Sequence, residues 1–302
     1  MAVGYLRAPA RTAAERVRRT VALLGRRGYA VTPARLGELC LGGPVSVDDV
    51  RWAVAAHSNL TIAEDLVVER EAMHRAASIR GRSLGHDAES GAYIELTLKF
   101  VRTLVAVAPF IRSVSIAGSL ASGGFRASDD VDLNLIVDDG HRHLAYVVVN
   151  FLGLLHALRF RGKAVDDLTR RPVAPRLMTA NLILERSQCR PLARQDEDMA
   201  FELLVAEPVY GVEALHEVVA QNPGLLEHFP QLAGRPSPLS IDGPQRRLPS
   251  FIYPRLLDSP ARLLGGSAWR YMQWTRRGRP EALERVAYVR ATMRPYTLFD
   301  SN

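Results

Sequence analysis

A glycine and two serines near the middle of the chain have the residue types needed to hold a phosphate group. Gly118-Ser119 follows an apolar run, and Ser122 lies three residues further along in a stretch rich in Gly, Ser and Ala. Glycine allows a phosphate to approach the backbone closely, and a serine hydroxyl adds a hydrogen-bond donor. We therefore expect Gly118, Ser119 and Ser122 to contact phosphate oxygens.

Two aspartates follow at the start of a second apolar run. Asp130 immediately precedes the run Val131–Val137, and Asp132 is its second residue. In a strand, alternate side chains lie about 7 Å apart on the same side, so both carboxylates project from one face and the apolar residues take the other. Adjacent carboxylates repel each other unless a cation lies between them, which favours a hard metal ion such as Mg²⁺ or Mn²⁺. Together with the Gly-Ser turn, the pair predicts a triphosphate held through a metal ion.

The order of these groups resembles the motif of the nucleotidyltransferase superfamily related to DNA polymerase β. That motif is an apolar strand, Gly-Ser, about ten further residues, and Asp-apolar-Asp-apolar on the next strand. Here it corresponds to Gly118-Ser119 and Asp130-Val131-Asp132-Leu133. The resemblance implies that Asp130 and Asp132 are catalytic and bind the metal. Asp-x-Asp also occurs in calcium loops and in manganese sites of glycosyltransferases, and a plain hairpin with solvated acids has the same pattern.

A third strand is predicted over Leu177–Leu184, with alternating faces. One face would carry Met178, Ala180, Leu182 and Leu184, and the other Thr179, Asn181 and Ile183. In many members of the superfamily this strand bears a third carboxylate that binds metal or acts as a base. Asn181 has that position here, and an amide does not accept a proton at neutral pH. We expect Asn181 to orient the acceptor or a metal-bound water.

Other acids near this strand are less well placed. Glu185 is in phase with Asn181 but follows the end of the strand, and Asp166 and Asp167 lie in the preceding loop. The chain is also similar to a group of uncharacterised bacterial proteins that join a winged helix, a nucleotidyltransferase domain and a helical tail. Their third strand often ends with Asn, apolar residues and an acid, as in Asn181-Leu182-Ile183-Leu184-Glu185.

Composition is that of an ordinary globular protein, with 47% hydrophobic and 24% charged residues in 302. The longest apolar run, Leu144–Leu158, is interrupted by Asn150 and His156 and is too short to span a bilayer. Two unpatterned cysteines indicate neither a disulfide framework nor a zinc site, and favour the cytoplasm. The formal charge of +7 does not distinguish nucleotides from RNA or DNA as partners. Serine-hydrolase, zinc-deaminase and P-loop motifs are absent from the sequence.

The first 75 residues have the pattern of a winged helix, with three helices followed by a short hairpin. Helices are predicted over 12–28, 32–40 and 46–57, and strands over Leu60–Ile62 and Leu66–Val68. The recognition helix would be Val47–His57, which has two acids, one arginine and no Asn, Gln or Lys to contact base edges. A structural or partner-binding role is favoured over DNA recognition, although a nucleic-acid partner stays an alternative.

Four further side chains are candidate contacts of the nucleotide. His141 and His143, just after the acidic strand, could touch a triphosphate or its base, and Lys163 and Arg176 could neutralise the leaving pyrophosphate. For each of them a solvated surface position is the competing interpretation.

The sequence therefore predicts a mixed α/β (α+β) fold in three parts: a winged-helix-like domain over 1–75, a nucleotidyltransferase core with a short mixed sheet over 76–190, and a helical region over 191–302. The expected activity is metal-dependent transfer of a nucleoside monophosphate from a nucleoside triphosphate to a small-molecule acceptor, with release of pyrophosphate. The expected alternatives are an inactive nucleotide-binding sensor or scaffold, and a DNA-binding regulator. No membrane partner is expected.

Overall fold

A computed structural model of the protein describes residues 12–159, 177–275 and 280–299. Its helices are α1 (Ala13–Arg26), α2 (Pro33–Glu38), α3 (Val47–Ala56), α4 (Ala76–Val107), α5 (Gly118–Ser122), α6 (Arg142–Ala157), α7 (Glu197–Val205), α8 (Val212–Gln221), α9 (Pro223–His228), α10 (Asp258–Thr275) and α11 (Pro280–Met293). Its strands are β1 (Leu60–Ala63), β2 (Leu66–Glu69), β3 (Ile111–Ala117), β4 (Val131–Val137), β5 (Met178–Glu185) and β6 (Glu207–Tyr210). Lys163, Asp166, Asp167 and Arg176 lie outside the described residues.

The chain divides into two compact units. One comprises the described part of Met1–Gly81 with Leu226–Gln231, and the other comprises Arg82–Leu225 with the described part of Leu232–Asn302. The second unit contains both the predicted 76–190 core, from Arg82 onwards, and nearly all of the predicted 191–302 region. These two parts are joined because β6, from the later region, completes the sheet of the earlier one.

The first unit has the three helices and the hairpin that the sequence predicts. Thr12, Thr32 and Ser46 accept hydrogen bonds from backbone N–H groups in the first turns of α1, α2 and α3, which fixes where each helix begins. Strands β1 and β2 pair antiparallel, from Leu60 opposite Glu69 to Ala63 opposite Leu66. Local signals in the sequence were sufficient here, because caps and turns involve residues close together in the chain.

The second unit is built on a four-stranded mixed sheet in the order β5-β4-β3-β6. Strand β3 is antiparallel to β4 and β6, and β4 is parallel to β5. One face of β4 consists of Val131, Leu133, Leu135 and Val137, all buried in a core with residues of α4 and α6. This is the burial that the alternating sequence of β4 predicts.

Strand β5 does not alternate as predicted. Leu133 pairs with Ala180, but the next residue, Asn134, pairs with Leu182, so Asn181 is an extra residue in β5. This bulge reverses the faces of the residues after it. Ile183 joins the core with Leu133, whereas Leu182 faces a small cavity between the sheet and helices α7 and α8. A pattern of period two cannot reveal such an insertion.

The region over 191–302 is not entirely helical. It contains strand β6, in which Pro208 pairs with Ser115 at the edge of the sheet, where proline is tolerated. Helix α4 continues through Gly81 and Gly85. Glycine disfavours a helix by only about 1 kcal/mol, which the packing of the later, apolar part of α4 can outweigh.

Among the helices of the described ranges, none combines the length and the hydropathy needed to cross a bilayer.

Candidate functional site

The two halves of the Gly-Ser and Asp-x-Asp pattern meet at one end of the β3–β4 pair. Ala117, the last residue of β3, lies opposite Asp132. The chain then turns at Gly118, whose φ of 62° lies in the left-handed region that favours glycine. A Cβ atom at Gly118 would stand 2.3 Å from Oδ2 of Asp132, so the carboxylate lies directly against the glycine backbone. Only glycine allows this approach.

The second oxygen of Asp132 is held from the neighbouring strand. Thr179, which pairs with Asp132 across β4 and β5, donates a hydrogen bond from Oγ1 to Oδ1 at 2.7 Å. Thr179 is buried and Asp132 is partly exposed. The carboxylate is therefore fixed between Gly118 and Thr179 and still reaches the surface.

A third aspartate shapes the loop between α5 and β4. Oδ2 of Asp129 accepts a hydrogen bond from Ser119 Oγ at 3.0 Å and another from the backbone N–H of Arg126 at 3.1 Å. The hydroxyl proton of Ser119 is thus directed to Asp129, while its oxygen keeps lone pairs. Asp130, the next residue, immediately precedes β4 and is partly exposed.

Ser122 has a hydroxyl that is buried without a hydrogen-bond partner among the described residues. It is the last residue of α5, before Gly123 in the left-handed conformation. A buried hydroxyl without a partner costs about 1–3 kcal/mol, and a ligand oxygen is one group that would satisfy it. Contact between Ser122 and a phosphate stays a prediction.

Asn181 belongs to a cluster that the sequence did not reveal. Its Nδ2 atom donates hydrogen bonds to Oδ1 of Asn134 and to Oε1 of Glu202, both at 3.0 Å. Nδ2 of Asn134 donates to the same oxygen of Glu202 at 3.1 Å. We call Asn134, Asn181 and Glu202 the amide–carboxylate cluster. It lies on the Asp132 side of the sheet, about 7 Å further along β4, because Asn134 is two residues from Asp132.

Two features of the sequence indicate members of this cluster. Glu202 is the single charged residue in Met199–Val205, a run otherwise made of apolar residues. Asn134 continues the alternation that begins with Asp130 and Asp132. A polar residue retained at a buried position needs a partner, so both residues predict a polar contact, although not with each other.

Glu185 lies at the opposite end of the sheet from Asp132. Its Oε1 accepts a hydrogen bond from the backbone N–H of Gly140 at 2.7 Å, in the turn after β4. It is six positions after Thr179 in β5, which corresponds to about 20 Å. Glu185 therefore closes a turn and is not available as a third carboxylate beside Asp132.

The two histidines after β4 are also at this opposite end. His141 stacks on Phe110, with ring centroids 4.8 Å apart, and its Nε2 lies 2.8 Å from the carbonyl oxygen of Tyr253. His143 contacts Asp258 through Nδ1 at 2.7 Å. Both imidazoles contact residues of the C-terminal segment from the start of α6, and neither lies at the Asp132 end of β4.

Asp258 links the start of α10 to the start of α6, where it accepts hydrogen bonds from the backbone N–H groups of His143 and Leu144 as well as from the His143 ring. Burial alone would raise the pKa of the Asp258 carboxyl, but these hydrogen bonds outweigh it and the pKa lies below its usual value. A carboxyl with a lowered pKa stabilises the folded state above its unfolded pKa of about 3.9 and loses this contribution as the pH falls further.

Asp258→Ala is therefore expected to lower the free energy of unfolding at pH 7 by about 1–3 kcal/mol, since it leaves two backbone donors at the start of α6 without their acceptor. The difference from the wild-type protein should shrink below about pH 4, as the wild-type carboxyl becomes protonated. Urea unfolding at pH 7 and at pH 3 measures both. An equal difference at the two pH values would contradict the ionic part of this explanation.

Asp130 and Asp132 offer carboxylate oxygens, the donor groups that a hard divalent ion prefers. Mg²⁺ is commonly bound through one or two carboxylates, with phosphates and water completing its shell. In the described ranges no group of three or more His, Cys, Asp or Glu side chains is arranged to hold a metal ion.

Comparison of the chain with protein-family models, with curated protein sequences and with solved structures finds no match.

Proposed function

We propose that the protein is a metal-dependent nucleotidyltransferase, which transfers a nucleoside monophosphate from a nucleoside triphosphate to a hydroxyl of a small-molecule acceptor and releases pyrophosphate. The observation that carries this proposal is the contact between the Asp132 carboxylate and the backbone of Gly118. It brings a metal-binding oxygen next to a turn that a phosphate can approach closely, at one end of the β3–β4 pair.

Each residue of the site has a separate role in this proposal. Asp130 and Asp132 would hold a Mg²⁺ ion, which when bound neutralises phosphate charge and favours displacement at phosphorus. Thr179 keeps the Asp132 carboxylate in place through its 2.7 Å hydrogen bond. Gly118, Ser119 and Ser122 would contact the terminal phosphates, with Ser122 contributing the hydroxyl that lacks a partner among the described residues.

The acceptor would bind on the Asn181 side of Asp132. Asn181 is partly exposed and lies on the strand next to Asp132. Because an amide does not take up a proton at neutral pH, Asn181 would orient the acceptor, directly or through a bound metal ion, rather than deprotonate it. The attacking hydroxyl would lose its proton to solvent or to a group on the acceptor itself.

The test is a calorimetric titration of the purified protein with each of the four nucleoside triphosphates, with and without Mg²⁺, with Asp130→Asn measured alongside. The proposal requires micromolar binding of at least one nucleotide that is lost without the metal and in the variant. Release of pyrophosphate is then measured across a panel of hydroxyl-bearing metabolites. Failure of every nucleotide to bind would contradict the proposal.

A second candidate is a nucleotide-binding sensor or scaffold that performs no transfer. It is favoured by Asn181, which stands where many members of the superfamily have a third, metal-binding carboxylate. Metal-dependent nucleotide binding without pyrophosphate release under any acceptor would support it.

DNA recognition by the first unit is the least supported alternative. Arg51, the one arginine of α3, lies 3.6 Å from the carboxylate of Asp48 on the same helix. The neighbouring Trp52 is 64% exposed and has no donor suited to a phosphate backbone other than its indole N–H. A surface with this composition suits a protein partner better than a duplex.

A further inference from the structure

The amide–carboxylate cluster fixes which atom Asn181 can present to a ligand. An Asn side chain has two N–H hydrogens on Nδ2 and one acceptor oxygen, Oδ1. Both side-chain hydrogen bonds that Asn181 makes to described residues use Nδ2, one to Asn134 and one to Glu202. Its two hydrogens are therefore both engaged. Oδ1 lies on the other side of the amide carbon and points away from Glu202.

Glu202 is the residue that determines this orientation. An ionised carboxylate only accepts hydrogen bonds, so both neighbouring amides must turn their nitrogen atoms towards it. Glu202 is only 7% exposed, and its Oε1 accepts from Asn134 and from Asn181. A flipped Asn181 would place two oxygens in contact in a site with little water, which is strongly unfavourable.

We propose that Glu202 is a positioning residue, which holds Asn181 so that its amide oxygen serves as the third oxygen ligand of a divalent cation at Asp130 and Asp132. This inference rests on the proposed function. Amide oxygens are accepted ligands of hard cations, and the negative charge of Glu202, acting through the N–H groups, makes the oxygen of Asn181 a better donor. The negative charge that a third carboxylate would bring to the site is thus supplied by Glu202 on α7, which is hydrogen-bonded to the proposed ligand Asn181.

The proposal predicts that restoring a carboxylate at position 181 is harmful. Asn181→Asp places two carboxylates at the 3.0 Å separation now occupied by the Asn181–Glu202 hydrogen bond. Two like charges at this distance cannot both ionise without a large cost. Adding Glu202→Gln moves the negative charge from α7 to β5, and the new amide can donate to the new carboxylate. The double variant should therefore recover the thermal stability and the metal binding that Asn181→Asp loses.

The experiment compares the wild-type protein, Glu202→Gln, Asn181→Asp and the double variant, with Glu213→Gln on the exposed face of α8 as the matched control. Mn²⁺ binding is measured by electron paramagnetic resonance, alone and with each nucleoside triphosphate, and thermal unfolding is measured without ligand. We expect Glu202→Gln to weaken Mn²⁺ binding by about 10-fold, as for other residues that orient metal ligands, and Glu213→Gln to leave it unchanged. Asn181→Asp should lower the melting temperature, and the double variant should restore both the melting temperature and Mn²⁺ binding.

Three results would overturn the proposal, and they are distinguishable. If the wild-type protein binds Mn²⁺ neither alone nor with a nucleotide, the proposed function fails and the role of Glu202 fails with it. If the wild-type protein binds Mn²⁺ and Glu202→Gln binds it equally well, only the role of Glu202 is wrong. If Asn181→Asp is as stable as the wild-type protein, the hydrogen-bonded contact between positions 181 and 202 is itself wrong.

Discussion

Asp132→Asn is expected to abolish pyrophosphate release and to weaken metal-dependent binding of the nucleoside triphosphate by at least about 10²-fold, because it replaces a carboxylate ligand of the metal by a neutral amide. The fold should survive, since the amide has the same shape and its oxygen can still accept the hydrogen bond of Thr179. Asp130→Asn should have the same direction of effect. Calorimetry with and without Mg²⁺ measures the binding.

Asp65→Asn is the matched control for the aspartate variants. Asp65 is exposed, lies in the turn between β1 and β2 with a φ of 62°, and tolerates Asn because both residues accept the left-handed conformation. Its nucleotide binding should equal that of the wild-type protein. Unchanged binding and turnover in both Asp132→Asn and Asp130→Asn would show that these residues do not hold the metal.

Gly118→Ala is expected to reduce both stability and nucleotide binding. The added Cβ would meet Oδ2 of Asp132 at 2.3 Å and force the carboxylate away from the turn. The left-handed backbone adds about 1–2 kcal/mol for a residue other than glycine. We expect a loss of about 1–3 kcal/mol in the free energy of unfolding and a fall of at least about 10-fold in metal-dependent nucleotide affinity.

Gly234→Ala separates these two effects. Gly234 has a φ of 66°, close to that of Gly118, and a Cβ there would have nothing within 4 Å. It should therefore incur the backbone cost without disturbing Asp132, and bind nucleotide as the wild-type protein does. If Gly118→Ala also keeps wild-type nucleotide affinity while losing stability, the Gly118–Asp132 contact has only a structural role.

The elements around the candidate site were largely predictable from the sequence. The alternation of Val131, Leu133, Leu135 and Val137 identifies the buried face of β4 and places Asp132 on the other one. The Gly-Ser turn follows β3 directly, so the adjacency of Gly118 and Asp132 follows from an antiparallel pairing of two consecutive strands. Thr12, Thr32 and Ser46 begin the three helix ranges predicted from the sequence, and in the structure they cap α1, α2 and α3.

The surroundings of Asn181 were not predictable in this way. The face of the sheet on which Asn181 lies depends on a bulge in β5. Its partner Glu202 belongs to a helix in the region over 191–302, which the sequence predicts to be a separate domain. Strand β6 was not predicted for a related reason: a four-residue edge strand that contains proline has too short a pattern to be recognised from the sequence.

What the sequence by itself determined is the set of groups that chain neighbours position: the glycine turn, the alternating carboxylates of β4 and the helix caps. These depend on backbone preferences and on side-chain periods that act over a few residues. What only the tertiary structure decided is how Asp132 and Asn181 are held. Thr179, which holds Asp132, is 47 residues away from it in the chain. Glu202, which holds Asn181, is 21 residues from Asn181 and 68 residues from Asn134, the other member of the cluster. Buried polar groups take whichever partner the packed elements bring within hydrogen-bond distance, and that choice is made by the packing of the whole unit.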